Sequence, residues 1–268
     1  MNEENLKSKV DLAPCFVSLK GKKYYLKLVE DGGNELIGNY LANLCGINTA
    51  NDKIISIDGE YYYLSYDLNN DGEYKDAADA GIVNLSLYEI WSILEEKYPK
   101  DTPKLMKQII KIFIFDTILL YDDRHLFNFG LLKKNDNIDF YILDNEMLFS
   151  GFDKVKLRPK LSENETLKKY TEFDLQNKIL PSNLEKNLEQ FEYFIATLGS
   201  EFYDIVLDIY YKLSPKTVEK ALFDVRDKYY EILNFATIKE NMYLYKINYD
   251  CITKILIERG LIDGQRIH

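Results

Sequence analysis

A chain of 268 residues that is 46% apolar and 14% aromatic is long and hydrophobic enough to bury a core, which excludes a disordered protein. With 44 acidic against 34 basic side chains its formal charge is −10, which argues against unaided binding to nucleic acid or an anionic membrane. Cys15, Cys45 and Cys251 are odd in number and widely spaced, so they suggest neither a metal pattern nor a disulfide framework, and a reducing cytoplasm is the expected compartment.

In chain order, the polar start MNEENLKSK lacks an apolar signal region. Residues 16–19 and 23–29 are rich in β-formers around a Lys20-Gly21 turn and predict a hairpin, with Lys27 between Leu26 and Leu28 in its second strand. A helix is expected over 35–45, with Leu36, Ile37, Tyr40, Leu41 and Leu44 on its apolar face and Gly46 as its stop. Residues 53–57 and 60–66 predict a second hairpin around Asp58-Gly59, a type I′ turn signal. The run from Asp67 to Gly72 opens like a calcium-binding EF-hand loop. Its twelfth position is Ala78, which cannot supply the bidentate carboxylate, so an exposed hinge loop is expected instead.

Helices are predicted over 86–96 and 102–121, separated by Pro99 and Pro103. The apolar stretch 109–121 is too short to span a bilayer and carries Lys111 and Asp116, so no membrane contact is expected. The charged run Asp122-Asp123-Arg124-His125 follows, then Asn128, a strand over 129–133, a turn at 134–137 and a returning strand over 138–143 ending at Asp144. A hairpin brings its ends together, so Asn128 and Asp144 should lie side by side with Asp123 one short loop away. Two carboxylates and an amide offer hard oxygen donors, which suit Mg²⁺. Any one of these residues alone would be a helix cap or a solvated surface group; as a set, flanked by apolar strands, they point to phosphoryl transfer.

The Asp123-x-x-x-x-Asn128 spacing, with a second Asp after a hairpin, is that of the protein-kinase catalytic loop. The run Asp123-Arg124-His125-x-x-Asn128 followed by Asp144 resembles the HipA-like serine/threonine kinases and, more distantly, the phosphatidylinositol kinases. The match continues upstream in Leu26-Lys27-Leu28, Asn34-Glu35 and Leu41-Ala42-x-x-x-Gly46-Ile47.

The resemblance implies an α+β, bilobal protein-kinase-like fold. Residues 1–67 would form an N-lobe of antiparallel strands plus one helix, and 68–268 a larger, mainly helical C-lobe. The C-lobe would carry a catalytic loop at 121–130, a metal-binding strand end at 141–146 and a helical part over 165–268.

It also implies ATP and Mg²⁺ as cofactors. Asp123 would be the catalytic base and His125 would support the catalytic loop. Lys27, Glu35 and Tyr66 would sit on the ATP side, with Asn128 and Asp144 on the metal. The partners implied are a protein substrate, such as an aminoacyl-tRNA synthetase, and a small antitoxin. The chain resembles the short, HipT-like forms that lack an additional N-terminal subdomain.

Two features depart from the pattern. The segment 5–14, where a glycine-rich phosphate loop belongs, has no glycine and only Ser8 as a hydroxyl. Asn145-Glu146 replaces the Phe-Gly that follows the metal-binding Asp in protein kinases. Residues 150–166 are expected to form an activation or substrate loop, in which Lys154, Lys156, Arg158 and Lys160 could meet an acidic group. Three helices are expected beyond it: one opening at Ser182 and closed by Gly199, one at Ser214-Pro215, and one over 238–259 stopped by Gly260. The alternatives are a small-molecule or lipid kinase with the same motif, and an ATP-binding pseudokinase acting as a binding module.

Overall fold

The structure, a computed structural model, describes residues 14–28, 32–82, 87–121, 124–145, 148, 182–229 and 238–263. The phosphate-loop segment 5–14 lies outside the described residues apart from Pro14, and so do Asp123 and the loop 150–166. The chain divides into two units. The first comprises Met1–Ile109, Arg124–Glu146 and Ala221–Phe235; the second comprises Ile110–Asp123, Met147–Lys220 and Ala236–His268.

The first unit carries two four-stranded sheets. Strands β1 (Cys15–Leu19), β2 (Lys22–Leu28), β5 (Glu60–Tyr66) and β4 (Lys53–Ile57) form an antiparallel sheet in the order β1-β2-β5-β4. In the β4–β5 hairpin Asp58 has φ +54° and Gly59 φ +88°, the left-handed pair that a type I′ turn needs. One face of this sheet presents Val17, Tyr24, Leu26, Tyr62, Leu64 and Tyr66 to a common core. Leu26 and Leu64 are fully buried there, each contributing about 1.5–3 kcal/mol.

The second sheet has the order β3-β8-β7-β6, built from β3 (Asn48–Thr49), β6 (Glu73–Asp76), β7 (Phe129–Lys134) and β8 (Asn137–Ile142). Its Leu132, Tyr74, Tyr141 and Leu143 join the same core. β7 and β8 are the hairpin expected from the sequence, with Phe129 opposite Ile142 and Lys134 opposite Asn137. The expected exposed hinge at 67–72 is instead tied down. Asp67 caps a 3₁₀ turn over Leu68–Asn70, Leu68 is buried, and the Asn70 side chain bonds both the N–H and the carbonyl of Lys23. The chain then enters β6.

Helix α1 (Gly32–Leu44) ends as predicted. Gly46 has φ +68°, and its N–H and that of Ile47 donate to the carbonyls of Asn43 and Ala42. Ile37 and Leu41 are buried as expected, but the buried face is shifted from the expected one. Tyr40 and Leu44 are 44% and 40% exposed, whereas Glu35 and Asn39 are buried beside Ile37, Leu41 and Ala42. The face turns inward because it has polar partners to satisfy, which hydrophobic spacing does not reveal. Helix α2 (Leu87–Lys97), the first half of α3 (Thr102–Ile118) and the stretch from Ala221 also belong to this unit, with Gln108 bridging Asp139 and the Phe140 N–H.

The second unit is helical. It holds the C-terminal half of α3, α4 (Ser182–Thr197), α5 (Tyr203–Lys212), the start of α6 (Pro215–Tyr229) and α7 (Ile238–Glu258). Phe113 stacks on Phe194 at 4.1 Å and Tyr210 on Tyr249 at 4.6 Å. The buried Asn248 amide donates to the Thr117 and Ile118 carbonyls at 3.0 and 2.9 Å, satisfying the end of α3. Gly260, with φ +70°, closes α7 as expected. Gly199 is extended (φ −64°, ψ 144°) and precedes a 3₁₀ turn over Ser200–Phe202; it does not close α4 in the left-handed conformation. No helix among the described residues is long and apolar enough to cross a membrane.

Candidate active site

All the described members of the candidate site belong to the first unit. Lys27 projects from β2 on the sheet face it shares with its cross-strand partner Tyr63. Its Nζ lies 3.2 Å from Oδ2 of Asp144, although the two are 117 positions apart in the chain. Both side chains keep partial solvent access, at 21% and 32%.

Asn128 is 5% exposed and stands at the mouth of the β7–β8 hairpin. Its N–H donates to the His125 carbonyl at 2.9 Å, and its own carbonyl accepts the Leu143 N–H at 2.8 Å. Asn128 is therefore paired with the residue just before Asp144. His125 is exposed, with Nδ1 accepting the Phe127 N–H at 3.2 Å.

Asp144 has φ +54°, a left-handed conformation unusual for a residue with a Cβ, at a cost of about 1–3 kcal/mol. Arg124 secures both of its neighbours. Its guanidinium donates to the Leu143 carbonyl at 2.7 Å and to Oδ1 of Asn145 at 2.8 Å, with a further bond to the Asn128 carbonyl at 3.1 Å.

From Asn145 a buried polar chain continues. Asn145 Nδ2 donates to Oδ1 of Asn39 on α1 at 2.8 Å, and Asn39 Nδ2 donates to Oδ2 of Asp52 at 2.9 Å. The Tyr63 hydroxyl donates to the same oxygen at 2.5 Å, and the Tyr66 N–H donates to Oδ1 of Asp52 at 2.8 Å. Burial raises the Asp52 pKa, partly offset by the bonds from Tyr63, Tyr66 and Asn39. Burial, together with the negative charges of Glu35 and Asp52, pushes the Tyr63 hydroxyl well above its ordinary value. Glu35 is 2% exposed and thus sits in this polar interior with Tyr63.

The structure brings Lys27, Asn128 and Asp144 to one place. It does not bring Tyr66 there. Tyr66 pairs with Tyr24, on the face opposite Lys27, and its hydroxyl accepts from Lys22 at 2.7 Å and donates to Asp71 at 3.0 Å. Sequence reasoning named Arg124 and Asn145 only as motif residues, not as a clamp and its partner, and missed Asn39, Asp52 and Tyr63 altogether. Gly38 was the available signal. A glycine inside a helix is unfavourable by about 1 kcal/mol and points to a close approach.

The Asp144 carboxylate and the Asn128 amide are hard oxygen donors of the kind Mg²⁺ accepts alongside phosphate and water. Among the described residues no group of three His, Cys, Asp or Glu side chains is placed to hold a metal ion. A cation here would rest on few protein ligands, and the donor set fits Mg²⁺ in that role.

No protein-family model matches the chain, and no curated protein matches it in sequence. Solved structures do. The Helicobacter pylori proinflammatory kinase CtkA matches with a TM-score of 0.55 at 16% identity, over 90% of both chains. HipA of Shewanella oneidensis MR-1, from a toxin–antitoxin complex with HipB and operator DNA, matches with a TM-score of 0.51 at 11% identity. That match spans 97% of this chain and 71% of that one. Identities this low establish architecture alone: the chain has an α+β fold similar to that of these two solved structures.

Proposed function

We propose that the protein is an ATP- and Mg²⁺-dependent serine/threonine protein kinase of HipA-like type. The observation that carries this reading is the Lys27–Asp144 pair at 3.2 Å beside the buried Asn128. A cation for phosphates and a carboxylate for the metal meet from distant parts of the chain, and Asn128 is backbone-paired to the residue before that carboxylate. In this reading Lys27 holds the α- and β-phosphates, Glu35 orients Lys27, and Asn128 and Asp144 hold Mg²⁺. Bound Mg²⁺ supplies charge neutralisation of the phosphates. Asp123 accepts the proton of the substrate hydroxyl, and His125 supports the loop that carries Asp123.

Residues 1–67 act as the N-lobe and 68–268 as the C-lobe. Tyr66 is not retained on the adenine side, since its ring faces the core and its N–H is held by Asp52. By analogy with a neighbour crystallised with its antitoxin, a small protein partner restrains the kinase, and its substrate is a cytoplasmic protein such as an aminoacyl-tRNA synthetase. Intact-mass measurement after incubation with ATP and Mg²⁺ tests the reading, with an Asp123→Ala control and a serine/threonine protein mixture as acceptor. Phosphate on protein hydroxyls with wild type alone supports it; no transfer to itself or to any acceptor removes it.

A further inference from the structure

The polar chain that begins at Arg124 has a direction. Arginine can only donate hydrogen bonds, so Asn145 must present its oxygen to Arg124 and its NH₂ to Asn39. Asn39 must then accept with its oxygen and donate with its NH₂, and Asp52 at the far end accepts. Two amides are thus oriented head to tail between a guanidinium and a carboxylate, with no freedom to flip. One end of this chain grips the residues on both sides of Asp144. Its middle lies on α1, the helix that carries Glu35. Gly38 permits the contact, because a Cβ there would stand 2.5 Å from Asn145 Cβ.

We propose that Asn145 and Asn39 are positioning residues: their amide–amide hydrogen bond locks the orientation of Asp144 to the placement of α1. The inference rests on the kinase reading, because its consequence is that Mg²⁺–ATP binding depends on a contact with neither ligand. Groups that orient metal ligands from behind typically cost about 10–100-fold in metal affinity or activity when removed.

The polarity of the chain supplies the test. Asn145→Asp keeps size and still accepts from Arg124 but places an oxygen against Oδ1 of Asn39. Adding Asp52→Asn lets Asn39 turn over, donating to the new carboxylate and accepting from the new amide, while the Tyr63 hydroxyl, which loses its Asp52 acceptor, turns to the Asn39 oxygen now facing it. The pair of substitutions reverses the chain and conserves net charge. Mg²⁺-dependent ATP binding is measured by titration calorimetry, with melting temperature recorded for each variant.

The expected result is an Mg²⁺ requirement about 10–100-fold higher in N145D, restored to within a few-fold of wild type in the double variant. If N145D does not fold, N39S takes its place as the single variant, with the same expected loss. Unchanged Mg²⁺ and ATP affinities in a single variant with a lowered melting temperature would overturn the positioning role and leave the kinase reading intact. A double variant no better than N145D would likewise overturn it. Wild-type protein that binds no ATP with Mg²⁺ would remove the kinase reading and this inference together.

Discussion

Gly38 of α1 and Asn145, the residue after Asp144, are in such close contact that a Cβ at position 38 would stand 2.5 Å from Asn145 Cβ and 3.1 Å from its Cγ. A glycine-to-alanine change within a helix ordinarily stabilises by about 1 kcal/mol. Here the added methyl meets the base of a fully buried side chain, which cannot swing away as a flexible tip would. Gly38→Ala should therefore destabilise the protein, by about 1–3 kcal/mol in urea unfolding. A stabilised variant would show that α1 does not approach Asn145 in this way.

Lys27 and Asp144 form a partly exposed ion pair, so their contribution to stability should be small. Lys27→Met should change unfolding free energy by no more than about 1 kcal/mol. Its effect on nucleotide should be larger, since loss of a charged hydrogen-bond donor to phosphate costs about 1.5–3 kcal/mol, roughly 10–100-fold in ATP affinity. Unfolding curves and ATP titrations on the same preparation compare the two. A large stability loss with ATP affinity unchanged would make Lys27 a structural residue.

Asp52 should give the stability a definite pH dependence. Burial raises its folded-state pKa, so the folded protein holds this proton more tightly than the unfolded chain does. The associated stability is complete below the ordinary carboxylate range, near pH 4, and is lost as pH rises through the raised value. The melting temperature of wild type minus that of Asp52→Asn should fall as pH increases across this window, since the other carboxylates are common to both proteins. A difference that is flat or rises with pH would contradict the assignment.

In the second unit, Asn248 should be a strong stability determinant. It is 0% exposed and donates to the Thr117 and Ile118 carbonyls at the end of α3. Asn248→Ala leaves the Ile118 carbonyl buried without this donor, while Thr117 keeps its bond from Asn187. A loss of about 1–3 kcal/mol is expected in denaturant unfolding. A loss below about 0.5 kcal/mol, the range of surface substitutions, would show that water replaces the cap.

Local patterns made the β7–β8 hairpin and the Asp58-Gly59 turn legible in the sequence. Asn128 could be placed beside the strand end because a hairpin leaves little freedom in where its ends meet. Strands β3 and β6 were not legible: Asn48–Thr49 and Glu73–Asp76 are short and polar, and only pairing with β8 and β7 makes them strands. The relay through Asn39 and Asn145 was equally hidden. Its members lie 106 positions apart in the chain, and Asn39 sits on a helix whose spacing pointed to Tyr40 and Leu44. Long-range amide pairing leaves no periodic trace, and the glycine that allows it is its one local sign.

The most direct test of the central claim is calorimetric titration of ATP with and without Mg²⁺, into wild type and Asp144→Asn. Saturable binding that requires Mg²⁺ and is lost in the variant is the predicted result, because Asp144 is the carboxylate assigned to the metal. Absence of binding to wild type, or binding that depends on neither Mg²⁺ nor Asp144, would contradict the assignment of Lys27, Asn128 and Asp144 as a nucleotide–metal site.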